Sequence, residues 1–114
     1  MDKELILFVQ SVTIPNGSAN SNAVDISKYT LAGIEFPATL TGTGVTLQVS
    51  QDNSTFSTVY QGAGDVTITK QNSKLVLVGS TFKTLEGLGK YLRLVSSGAE
   101  GADRILKLYL VPRG

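Results

Sequence analysis

The sequence predicts an all-β chain, folded as one antiparallel β-sandwich or barrel. Three observations predict it. Apolar residues recur with a period of two along most of the chain, which is the pattern of half-buried strands. Turn-forming clusters of Gly, Asn, Asp, Ser and Pro break that pattern about every ten residues. The length, 114 residues, suits a single domain with a modest core.

The strands follow in order. Leu5–Thr13 opens the chain, ended by the Pro-Asn-Gly turn of "IPNGSANSN". Ala23–Ile26 is a short strand. Thr30–Phe36 comes next and is closed by "PATLTGTG". In Val45–Ser50 the residues Val45, Leu47 and Val49 share one face, and Thr46, Gln48 and Ser50 the other. Ser57–Gln61 and Asp65–Thr69 flank "GAG", and Lys74–Val78 follows "KQNS". Tyr91–Ser96 turns Leu92 and Leu94 inward and Arg93 outward. Arg104–Val111 sets Leu106, Leu108 and Leu110 against Lys107 and Tyr109. Only Ser80–Lys90 has helical character, with Ser80 as a cap and Phe82 and Leu85 three apart. It is short and ends in "GLG", so at most one turn of helix is expected there.

Composition narrows the function. Ten Lys and Arg balance nine Asp and Glu, for a net charge of +1. The basic residues are scattered from Lys3 to Arg113, whereas a phosphate-tracking groove needs them clustered, so no nucleic-acid partner is expected. Without cysteine there is no disulfide and no thiolate metal site. Without histidine the commonest general base and metal ligand are missing. The first residues, "MDKELILFVQ", carry acids and only a short apolar run, unlike a signal peptide. No stretch reaches the ~20 apolar residues of a membrane helix. The expectation is a soluble protein made in the cytoplasm, with no membrane partner.

Constellations for chemistry are weak. The carboxylates Asp25, Glu35, Asp52, Asp65, Glu86, Glu100 and Asp103 lie mostly in turns, not in pairs facing across a cleft. The Gly-rich pieces "GTG", "GAG" and "GLGK" do not lead from a strand into a phosphate-binding helix. No catalytic residue, cofactor or metal is expected. The segment "SQDNSTF" loosely resembles an Asp-box, in which a carboxylate ties a hairpin turn through backbone N–H groups. Asp52 is expected to do this through an Asx-turn, with Asn53 in the left-handed conformation. Asp52, Asn53 and Tyr60 are also where a weak ligand site, for a sugar or an ion, would lie. In "GADR", Asp103 and Arg104 would pair, or Arg104 would bridge to another carboxylate.

Several strands are apolar on both faces. Leu5, Leu7 and Val9 oppose Ile6 and Phe8; Leu75 and Leu77 oppose Val76 and Val78; Ile105 and Tyr109 oppose the leucines of the last strand. A small sandwich has few layers with which to cover a second apolar face. Another chain is therefore expected to cover it, through Ile6, Phe8, Ile105 and Tyr109, with Glu35 and Arg104 as polar contacts.

The segment "TIPNGSANSNAVDISKYTLAGIEFPATLTGTGVTLQVSQDNSTF", with the later "GADRILKLYLVP", resembles a family of small structural proteins of tailed bacteriophages. The resemblance runs from about Thr13 to Pro112. It implies a jelly-roll or related sandwich and a place in the virion: a capsid decoration (cement) protein, commonly a homotrimer bound to the major capsid protein, or a neck or tail component. It brings no catalytic residues. A carbohydrate-binding β-sandwich is the alternative, against which stand the absence of tryptophan and the dispersal of Tyr29, Tyr60, Tyr91 and Tyr109. The terminal "LVPRG" resembles a protease-recognition sequence, but strand alternation continues into it, which favours a native end.

Overall fold

The computed structural model describes residues 8–61, 64–77 and 90–112. Ile6, the expected first residues of the opening strand, and the helical candidate Ser80–Lys90 (except Lys90) lie outside these. Among the described residues every regular element is a strand. They are β1 (Phe8–Ile14), β2 (Val24–Asp25), β3 (Tyr29–Glu35), β4 (Gly44–Ser50), β5 (Ser57–Thr58), β6 (Tyr60–Gln61), β7 (Gly64–Asp65), β8 (Thr67–Thr69), β9 (Leu75–Leu77), β10 (Tyr91–Ser96) and β11 (Arg104–Pro112).

The strands form two antiparallel sheets. Sheet A has the order β1-β11-β3-β9; sheet B has the order β2-β10-β4-β5, with β8 also paired to β4. β5 meets Gln48 and Val49, and β8 meets Gly44 to Thr46, so both lie along one edge of β4. They make a single strand position, interrupted by the small hairpin β6–β7. Counted that way, eight positions pair as 1-8-3-6 and 2-7-4-5. This double wrap is a jelly roll, the closed-up form of the β-sandwich.

The core lies between the sheets and follows the alternation of the sequence. Sheet A supplies Val12, Ile14, Ile34, Leu106, Leu108 and Leu110; sheet B supplies Val45, Leu47, Leu92 and Leu94; every one is buried. Each such side chain contributes roughly 1.5–3 kcal/mol by leaving water. In β3 the alternation fails, since Leu31 and Ile34 are three apart and both buried. Tyr109 pairs with Gly33 and Leu110 with Leu31, which leaves Ala32 as a bulge residue. The extra residue shifts the phase by one and returns Leu31 to the core.

Two glycines, Gly44 at the start of β4 and Gly42 in the loop before it, are dictated by close approach. A Cβ on Gly44 would sit 2.5 Å from the Ile68 carbonyl oxygen, where β8 crosses β4. A Cβ on Gly42 would run into the Ser96 and Ser97 hydroxyls. Gly17, in the Pro-Asn-Gly turn, takes φ +83°, a conformation glycine adopts at little cost.

Candidate functional site

The outer face of sheet A is apolar. Register places Val9, Tyr109, Gly33 and Leu77 in one row across all four strands. The next row is Ser11, Lys107, Glu35 and Leu75, and Ile105 lies beside Thr13 in the third. Leu77 is 80% exposed, Ile105 55%, Leu75 45% and Val9 44%. Four large aliphatic side chains therefore stand in water on one face, more than the single scattered apolar residues an ordinary surface carries. Leu75 folds over the Gly33 backbone, since a Cβ there would meet its Cδ1 at 2.9 Å. The Tyr109 hydroxyl donates to Glu35 Oε1 at 2.6 Å. That bond to a carboxylate pushes the phenol above its usual pKa.

The expected contact residues divide. Ile105, Tyr109 and Glu35 lie on this face. Phe8 does not: it pairs with Leu110 on the core side of the sheet and stacks on Tyr29 with ring centroids 5.5 Å apart. It remains 43% exposed. The outward residue of that strand is its neighbour Val9. Arg104 also points to the core side, opposite Ile14. Its Nε donates to Glu100 Oε1 at 2.9 Å and its guanidinium also reaches Thr41 Oγ1. Arg104 thus bridges to a carboxylate other than Asp103, which instead accepts the Asn16 N–H at 2.8 Å.

Glu100, in sequence one more acid of a turn, has a different place in the fold. Its side chain is buried at a junction of three loops. Oε1 accepts the Thr41 N–H at 2.7 Å as well as Arg104; Oε2 accepts the Gly42 N–H at 3.0 Å and the Ser96 hydroxyl at 2.6 Å. Its backbone bonds Gly17 and Ser18. Burial alone would raise its pKa, but the four donors outweigh burial and hold the carboxyl at about 2. A carboxylate with every approach occupied by donors is a structural tie.

The Asp52 hairpin is a tied turn of the kind its residues predict. Asp52 Oδ1 accepts the Ser54 and Thr55 N–H groups, both at 2.9 Å, and the Ser50 hydroxyl at 2.9 Å. The Ser50 oxygen in turn accepts the Asp52 and Asn53 N–H groups. Asn53 takes φ 60°. The Thr55 and Ser54 bonds, with Ser50, hold Asp52 below the usual carboxylate range. Beside it lies an open depression of about 310 Å³, lined by Val49, Ser50, Gln51, Asp52, Thr55 and Ser57. Among the described residues no aromatic ring lines it. Tyr60 lies in β6, its backbone paired with Asp65.

The outer face of sheet B contrasts with that of sheet A. Thr46, Gln48, Thr58 and Thr67 lie there with Arg93. Arg93 donates to Gln48 Oε1 at 2.7 Å and stacks 4.0 Å above the Phe56 ring. Phe56 is therefore covered by a cation rather than open to a flat ligand. Among the described residues no three acidic groups converge as metal ligands would.

No protein-family model, curated protein or solved structure matches this chain. The functional reading therefore rests on the two sheet faces and on the sequence pattern.

Proposed function

We propose that this chain is a non-enzymatic structural protein of a bacteriophage virion, a capsid decoration protein that acts by adding contact area between subunits. The observation that carries the reading is the apolar outer face of sheet A, where Val9, Leu75, Leu77 and Ile105 surround Tyr109 and Glu35. Jelly rolls recur in viral capsid and lectin domains. That support is an analogy of fold, and it agrees with the family the sequence resembles. The partners in this reading are the chain itself and the major capsid protein, and the place of action is the virion. A decoration protein opposes the outward pressure of packaged DNA by bridging neighbouring capsid subunits, itself held as an oligomer through that face; a neck or tail component would assemble in the same way on a different ring.

The test is to mix the purified protein with empty shells of the capsid protein encoded beside its gene. Cryo-electron microscopy is expected to show added density on the shell, and decorated shells are expected to survive higher temperature. Bare shells at saturating protein would refute the decoration role. The alternative, a carbohydrate-binding sandwich, would place its ligand in the depression beside Asp52. A saturable signal on a glycan array, lost in Asp52→Ala, would replace the virion reading with that one.

A further inference from the structure

We infer that the outer face of sheet A is a self-association surface, against which a second copy of this chain packs its own sheet A about a two-fold axis. The inference rests on the reading of the chain as an assembly protein and names its first partner. The choice of occupant comes from the order of residues across the sheet.

Consider a two-fold axis in the plane of the interface, running along the strands midway between β11 and β3. Rotation about it lays β11 of one copy over β3 of the other, and β1 over β9. Residues that share a row then meet across the interface. Lys107 faces Glu35 of the second copy, and Glu35 faces its Lys107. Val9 faces Leu77, apolar against apolar. Tyr109 is laid over the Gly33 position and meets Leu75, which covers that backbone. Charge meets opposite charge and apolar meets apolar, on both sides of one axis. That reciprocity is what an isologous interface requires.

The polar groups on the face fit this use. Lys107 is exposed, and among the described residues it has no hydrogen-bond or ion-pair partner. Glu35 is its direct cross-strand neighbour, yet the carboxylate is taken up on one oxygen by Tyr109. One cation and one anion side by side give the face no net charge of its own, so a strongly charged partner gains little from it, while a rotated copy satisfies both.

The area is sufficient for a reversible dimer. Strands of seven, nine, seven and three residues, at about 3.4 Å per residue and about 4.8 Å spacing, give a face of about 400 Å² in projection. Two such faces, with the relief of their side chains, bury on the order of 1,000 Å², where specific interfaces begin. Sheets packed this way lie about 10 Å apart with their strands offset by about 30°.

Sedimentation velocity on the full chain across the micromolar range is the test. The mass is expected to rise with concentration to twice the 12.1 kDa of the chain. Leu77→Asp is expected to weaken the dimer at least about tenfold, with an unchanged circular-dichroism spectrum because Leu77 packs on the outside. Lys107→Glu and Glu35→Lys are each expected to weaken it, and the two together to restore it. A chain that stays monomeric, a dimer indifferent to Leu77→Asp, or a mass that settles at three chains, the trimer of the resembled family, would each overturn the inference. Shell binding by a monomeric chain would overturn this inference alone. A two-fold dimer that ignores the shells would uphold it while refuting the decoration role.

Discussion

Replacing Glu100 by glutamine is expected to destabilise the fold strongly at neutral pH and hardly at all in acid. The carboxyl lies at about 2 in the folded chain against 4.5 for an unperturbed glutamate. Each unit is about 1.4 kcal/mol, so the ionised form contributes about 3 kcal/mol. The folded pKa is below the unfolded one, so the folded chain holds fewer protons in that window. The contribution is complete above about pH 5 and disappears as the pH falls to about 2. In Glu100→Gln one end of the side chain becomes an NH₂ group aimed at donors. The Thr41 and Gly42 N–H groups and Arg104 Nε cannot turn into acceptors; only the Ser96 hydroxyl can. Urea unfolding at a series of pH values measures the effect. Wild type is expected to exceed the variant by about 3 kcal/mol at neutral pH, or roughly 10–15 °C in Tm, and the two are expected to converge near pH 2. A constant gap across that range, or no gap at neutral pH, would refute the account of Glu100 as an ionised tie.

Other expectations follow from packing and turn geometry. Leu108→Ala empties a fully buried site in the middle of sheet A and is expected to cost about 2–5 kcal/mol in chemical denaturation. Gly44→Ala would press a methyl on the Ile68 carbonyl; hydrogen exchange is expected to show β8 released from β4 while the rest of sheet B stays protected. Asp52→Ala is expected to lower Tm through loss of the turn bonds and to leave the oligomeric state unchanged by sedimentation. In ultraviolet titration Tyr109 is expected to ionise later than a free tyrosine, and earlier in Glu35→Gln, because the carboxylate that accepts its proton has lost its charge.

Much of the fold was legible because it is written in alternation. Leu106, Leu108 and Leu110 announce the inner face of β11, and Val45 and Leu47 that of β4. Asp52 and Asn53 announce their own turn, since an Asx-turn is made by residues adjacent in sequence. The second apolar face was legible for the same reason, as Ile105 and Tyr109 alternate with the leucines. What escaped notice depends on residues far apart. Glu100 looks like a turn acid in "GAEGAD"; its burial arises only when the wrap brings Thr41, Gly42 and Ser96 around it. The sequence allows Arg104 a bridge to some carboxylate but does not name Glu100, which stands four residues back in a loop whose path the strand pattern does not give. Phe8 belongs to a strand apolar on both faces, and only pairing with Leu110 places it on the core side. The bulge at Ala32 breaks the period on which strand reading depends.

The hairpin β6–β7, set into the middle of one strand position, also governs what sheet B can become. It chops the border of that sheet into runs of two and three residues, too short to template a neighbouring strand. On sheet A, Asn22 occupies both backbone groups of Thr13 and seals part of the border there. Lateral growth into ribbons is thereby discouraged along those borders. A unit whose contacts were confined to the flat of one sheet would make finite, closed clusters rather than a fibre.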